Sequence, residues 1–145
     1  MKGVIQRIKQ ASVTVDGTII SQVGQGLCLF LGISKTDQEA QCESFIEKIV
    51  GLRLFNDEQG KMNKSITEIQ GDLLIVSQFT LYADCTKGQR PSFTAAATYD
   101  QAKVVYDFFV KTCRERYSKI AEGQFGAAMD VALVNDGPVT LLYED

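Results

Sequence analysis

Two short segments carry the residues whose types and order could do chemistry: Ser77-Gln78-Phe79-Thr80 and Asn135-Asp136-Gly137-Pro138-Val139-Thr140. The first offers two hydroxyls, a carboxamide and an aromatic face at the end of an apolar run, and strand alternation puts Ser77 and Phe79 on one side with Gln78 and Thr80 on the other. Such hydroxyls could orient a substrate, or could be satisfied by neighbouring backbone at a strand end. The second holds one of only two prolines in the chain. Asn-Asp-Gly between apolar runs reads as a hairpin turn, with Gly137 free in its backbone angles and Pro138 unable to donate a ladder hydrogen bond. The other reading is a Gly-Pro bond held cis, a rigid element that turns two carbonyls toward a ligand.

The absences are as informative. The chain has no histidine, which removes Ser-His-Asp and Cys-His catalysis and imidazole-based metal sites. It has no Gly-x-x-x-x-Gly-Lys-Ser/Thr loop, and Gly24-Gln25-Gly26 lacks the third glycine and strand-to-helix setting of a dinucleotide site. Neither a metal nor an organic cofactor is expected. Asp57 and Glu58 lie in a polar loop without an apolar setting to perturb them and read as solvated charge.

The elements that position these segments follow from periodicity. Val4–Ile8 and Ser12–Val15 read as strand, and Asp16-Gly17 signals a hairpin. Leu27–Ile33 is continuously apolar and short, as in a central strand covered on both faces, and Leu73–Val76 repeats that pattern and runs on through Ser77 to Thr80. A capping box at Thr36–Glu39 predicts a helix of about four turns carrying Phe45, Ile46 and Ile49. Thr98–Gln101 caps a second, with Arg114 and Arg116 suited to its C-terminal dipole. Alternation over Met129, Val131 and Leu133 predicts a strand into the Asn-Asp-Gly-Pro turn, and Val139–Tyr143 a last one. The fold class expected is α/β: a single domain over residues 1–145, with a mixed or largely antiparallel sheet, curled and barrel-like, flanked by two main helices.

A chain of 145 residues buries enough surface for one core without metal or disulfide support. Its polar start and lack of a long apolar run predict a soluble, cytoplasmic protein with no membrane partner. Four scattered cysteines form no Cys-x-x-Cys pair; Cys28, Cys42 and Cys113 read as core and Cys85 as exposed. A net charge of −3 gives no broad basic footprint. Lys61, Lys64, Lys87 and Arg90 fall in predicted loops, either as solvated charge or as phosphate contacts.

Ser77-Gln78-Phe79-Thr80-Leu81 and Asn135–Thr140, both in register, resemble the paired signature motifs of the D-aminoacyl-tRNA deacylase family. The resemblance extends along the chain through Ile5-Gln6-Arg7, Ala11–Val15, Gly60–Asn63, Arg90-Pro91-Ser92-Phe93 and Phe125-Gly126-Ala127 with Met129. It implies a homodimeric hydrolase that takes tRNA as its partner and cleaves the ester between a D-amino acid and the terminal ribose. Glycyl-tRNA, including alanine tRNA mischarged with glycine, would be cleaved and L-aminoacyl-tRNA spared. The resemblance makes Ser77, Gln78, Phe79 and Thr80 the catalytic segment and makes Gly137 and Pro138 a cis element entering the partner subunit's active site. Arg7 would support that element and Met129 would contact substrate. Catalysis would be assisted by the tRNA itself, with Thr80 positioning substrate; a threonine nucleophile is the other reading, which lacks an evident base.

Overall fold

The computed structural model describes residues 1–145 and is organised by one long strand. β1 (Lys2–Val15) pairs along one edge first with β3 (Gly26–Gly32) and then with β2 (Thr18–Val23). Its whole opposite edge is taken by β8 (Asp130–Glu144), and all three pairings are antiparallel. The β1–β2 connection is the expected hairpin, Asp16 and Gly17 both adopting positive φ of 48° and 75°. β6 (Asp72–Ser77) lies parallel to β3, and β7 (Ile120–Glu122) parallel to β6. The sheet curls until its ends meet, where the Ser21 hydroxyl donates to the Glu122 carbonyl and joins β2 to β7. A mixed, nearly closed sheet with two main helices is the expected class. Phe55–Asn56 and Met62–Lys64 form a separate hairpin, β4 and β5, so Lys64 is a strand residue, ion-paired to Glu58.

The continuous apolar runs make sense once both faces of the sheet are covered. Leu27, Leu29, Leu31, Leu73 and Ile75 face α1 (Cys42–Gly51) and α2 (Tyr99–Arg116), while Cys28, Leu74 and Val76 face the inside of the curl with Ile8, Val13 and Val23. Phe45 of α1 meets Phe109 of α2 edge-on at 5.9 Å and the Tyr143 ring of β8 at 4.8 Å, so one aromatic cluster ties both helices to the last strand. β3 and β6 approach closely at Gly26, where a Cβ would stand 1.8 Å from the Asp72 carbonyl oxygen. Only glycine permits that pairing.

Three expectations need correction. The capping box at Thr36–Glu39 does not form: the Thr36 hydroxyl pairs with the Ser34 hydroxyl at 3.1 Å, and beside it the Asp37 carboxylate accepts from the Met1 ammonium at 3.0 Å and from the Ser34 amide at 2.7 Å. The box forms instead between Gln38 and Gln41 around a 3₁₀ turn, and α1 has ten residues rather than four turns. The strand β6 stops at Ser77, and Phe79–Tyr82 is a 3₁₀ turn. Most consequential, the Asn-Asp-Gly-Pro segment is not a hairpin. Asp130–Leu133 and Val139–Tyr143 run in one direction as parts of the single strand β8, with Met129 just before it.

Cys28, Cys42 and Cys113 are buried, and burial pushes their thiols up to about 12, 11 and 12 respectively; Cys85 is exposed. At pH 8 a thiol reagent such as DTNB should therefore modify one cysteine of the native protein and all four in denaturant. Rapid reaction of more than one native thiol would contradict this packing.

Candidate active site

The site begins where two parallel strands end together. Leu31 of β3 lies beside Ser77 of β6, and the Gln78 amide donates to the Leu31 carbonyl at 2.8 Å, closing the ladder. Beyond that bond the chain turns into the 3₁₀ turn, whose first internal bond runs from the Leu81 amide to the Gln78 carbonyl. The amides of Phe79 and Thr80 precede that bond, so the turn's own hydrogen bonding leaves them free. Ends of parallel strands are where α/β sheets commonly open to ligand.

A cavity of about 500 Å³ occupies this place, and 11 of its 14 lining residues are hydrophobic. One wall is Leu31, Ile33 and Val76 through Phe79; the facing wall is Ala97, Tyr99 and Ala102 at the start of α2; the rest is Phe125 through Ala127, Met129 and Val131. Its size suits a small organic ligand. The start of α2 is fixed as expected, with Thr98 and Gln101 forming a reciprocal capping box. Tyr99 then stacks edge-on against Phe125 at 5.2 Å and lies over Gly126, whose φ is 76° and whose added Cβ would sit 2.6 Å from the Tyr99 ring. Ser77, Gln78, Phe79 and Met129 are thus brought into one cavity. Thr80 is beside it and outside the lining, with its hydroxyl oxygen accepting from the Gln78 carboxamide at 2.5 Å.

No aspartate, glutamate, lysine, arginine or cysteine lines the cavity. The phenol nearest in sequence to Thr80, that of Tyr82, is pushed up to about 12 by burial and secondarily by the Asp37 carboxylate, so it is no base at neutral pH. What the cavity offers is apolar contact, a carboxamide and free amides.

Gly137, Pro138 and Arg7 form a second locus outside that cavity. Between Gln6 and Ile8 strand β1 advances two residues, whereas its partners on β8 run from Thr140 back to Asn135, a span of five; three residues are extruded as a bulge. Asn135 clamps its base: its carbonyl oxygen accepts from the Val139 amide at 2.8 Å, and its amide donates to the Val139 carbonyl and the Thr140 hydroxyl at 3.2 and 3.0 Å. From beneath, the buried Arg7 donates through Nε to the Asp136 carbonyl at 2.9 Å and through Nη1 to the Leu54 carbonyl at 2.5 Å, with the Asp136 carboxylate 3.4 Å away. Gly137, at φ 142°, lies so close that a Cβ would stand 2.7 Å from a Val139 methyl and 3.3 Å from Nη2 of Arg7. The Gly137–Pro138 peptide is cis, and both residues are exposed.

The sequence profile of the family described as D-Tyr-tRNA(Tyr) deacylase matches residues 4–144. This chain belongs to that family. It is 52% identical to the D-aminoacyl-tRNA deacylase of Petrotoga mobilis over 145 residues, covering 99% of this chain and 97% of the relative. It is 53% identical to that of Bacillus cytotoxicus over 144 residues, covering 99% of each. Among solved structures, a c-Myc DNA unwinding element binding protein superposes with a TM-score of 0.95 at 44% identity, covering 100% of this chain and 99% of the other. A protein described as a probable eukaryotic D-amino acid tRNA deacylase shares the fold alone, at TM-score 0.85 and 16% identity over 98% and 97% of the two chains.

Sequence reasoning did not assign Leu31 and Ile33, or Ala97, Tyr99 and Ala102, to a site, since none carries a charged group and the two segments lie far apart in the chain. An exposed tyrosine in the first turn of a capped helix was the one available signal. Arg7→Met should strip both the Leu54 and Asp136 carbonyls of their donor and destabilise the protein by roughly 2–3 kcal/mol, measured by urea unfolding. An unchanged midpoint would show that the guanidinium fastens nothing.

Proposed function

We infer that this chain is a hydrolase that deacylates D-aminoacyl-tRNA, and that the cavity beside Ser77–Phe79 receives the aminoacylated terminal adenosine. The observation that carries the reading is this cavity without an ionisable carboxylate, amine or thiol, set against free amides of Phe79 and Thr80, within a chain that matches the family from residue 4 to 144. The step is hydrolytic: water adds to the ester carbonyl, the bond to the ribose oxygen breaks, and that oxygen leaves with a proton as tRNA separates from the D-amino acid. An aminoacyl ester is already reactive. Holding it in line with water is worth about 7–11 kcal/mol, and one amide aimed at the developing oxyanion about 3–4 kcal/mol. A general base adds only about 10²–10⁴-fold, so positioning together with the neighbouring ribose hydroxyl suffices. Thr80 fits a positioning role. Its oxygen already accepts from Gln78, which leaves the hydroxyl proton to donate and offers no base to remove it.

The chiral filter we propose is the Gly137–Pro138 bulge of a second subunit. Within one chain that bulge lies outside the cavity, yet it is clamped by Asn135 and Arg7 and presented to solvent, which is how a fixed backbone surface for another molecule would be built. A homodimer has a surface to form on. Leu142 of β8 is 82% exposed, in a row with Val4 and the half-buried Phe30, and the outer edge of β8 pairs with no strand. Fixed backbone beside the substrate Cα would clash with an L side chain and pass its mirror image, and it has no means to reject glycine. Selectivity by rejection requires no pocket for the D side chain. No helix is long and apolar enough to cross a membrane, and the proposed site of action is the cytoplasm, where tRNA is charged.

Purified protein with chelator present should release amino acid from D-tyrosyl-tRNA and glycyl-tRNA while sparing L-tyrosyl-tRNA. Comparable cleavage of the L ester would end the filter reading, and binding of all three without cleavage would leave an RNA-binding module. Thr80→Val should keep deacylation within about tenfold if the residue only positions substrate, whereas complete loss with intact binding would support a nucleophile. With no general base in the cavity, log kcat from about pH 5 to 8 should follow the pH profile of the same ester's uncatalysed hydrolysis, including the ionisation of its own α-amine; a plateau near pH 6–7 absent from that profile would reveal a protein base.

A further inference from the structure

The loop between the 3₁₀ turn and α2 is shaped for something the cavity does not explain. Asp84 and Ser92 pair through two backbone bonds of 2.7 and 2.9 Å and close a small arm, with Gly88 at positive φ of 67° between them. The Asp84 carboxylate is consumed inside the arm, accepting from the amide and hydroxyl of Thr86 at 2.9 and 2.7 Å. Lys87 and Arg90 are exposed, and neither is in an ion pair, although seven other lysines and arginines are. Just past the arm, Phe93 meets Phe79 at the cavity rim edge-on at 5.1 Å, the two rings 37% and 57% exposed. The arm is therefore fastened to the mouth of the cavity and carries two unneutralised cations and an aromatic face outward.

We propose that this arm is the track for the single-stranded 3′ end of tRNA: Lys87 and Arg90 take its backbone phosphates while Phe93 and Phe79 offer faces for bases next to the terminal adenosine. This rests on the deacylase reading above. The rest of the molecule offers no broad attraction for RNA at a net charge of −3, so affinity must come from a local cluster continuous with the cavity. Exposed aromatics interleaved with unpaired cations are the chemistry that holds single strands without reading their sequence. A bidentate guanidinium at Arg90 suits a phosphate better than an ammonium would.

The test compares D-tyrosyl-tRNA with the minimal ester D-tyrosyl-adenosine, which has the reacting atoms but no upstream phosphates. Lys87→Ala/Arg90→Ala should lower kcat/KM on the tRNA about tenfold or more. It should also reduce the slope of log Kd against log salt by about 1.4, two single-strand contacts at about 0.7 each, while cleavage of the minimal ester and the melting temperature stay unchanged. Lys48→Ala, on the exposed side of α1, should move neither. If the double variant handles the tRNA with the same rate and salt slope as the parent, or loses both esters equally, the arm is not a phosphate track. If the parent protein cleaves neither ester, the deacylase reading falls and this inference falls with it.

Discussion

A buried guanidinium decides where the rest of the molecule can go. Arg7 sits in the middle of the longest-range pairing in the fold, between β3 on one side and β8 on the other, and is only 8% exposed. Burying such a cation costs several kcal/mol unless its donors are satisfied. Two backbone carbonyls, those of Leu54 and Asp136, and the Asp136 carboxylate meet that demand, and meeting it fixes the chain before β4 and the bulge of β8 in one arrangement. Lys9, 4.0 Å from the same carboxylate but largely exposed, adds little by comparison. The bulge is therefore rigid because a charge beneath it has no alternative partner.

The other half of the site follows from the opposite strategy. Where β3 and β6 end side by side, the sequence supplies almost nothing that ionises, and an apolar cavity results. Its chemistry is backbone amides and the Gln78–Thr80 pair, groups whose positions matter and whose charge does not change with pH. A site of this kind suits a substrate that brings its own reactivity. The two halves are separate within one chain, which is why the proposed function assigns their union to a dimer.

The sequence made the regular elements legible and the irregular ones not. Leu27–Ile33 and Leu73–Val76 were recognisable as doubly covered strands because nothing polar interrupts them, and the Thr98–Gln101 box was readable because both partners are local. The Thr36 box gives way to other partners: the Thr36 hydroxyl pairs with Ser34, and the adjacent Asp37 is held by the chain's first residue, a contact that no local pattern shows. The Asn-Asp-Gly-Pro segment misled in the same way. Its residues carry every local mark of a hairpin, but the direction of the chain after it is set by β1, which pairs with both flanks and forces them into one strand. Ser77, Gln78, Phe79 and Met129 were legible as a group through their resemblance to family motifs, whereas Ile33 and the pair Ala97 and Tyr99 are uncharged residues from two distant segments that only the folded chain brings together.

If the bulge of one subunit completes the cavity of another, mixed dimers will show it. Gln78→Ala/Phe79→Ala would be unfolded and refolded together with Gly137→Ala/Pro138→Ala, each inactive alone, and deacylation of D-tyrosyl-tRNA measured. Random pairing makes half the dimers mixed, each with one intact cavity facing one intact bulge, so about one quarter of the parent activity should return. If cavity and bulge act within the same chain, every site in the mixture carries a defect, and no activity will return.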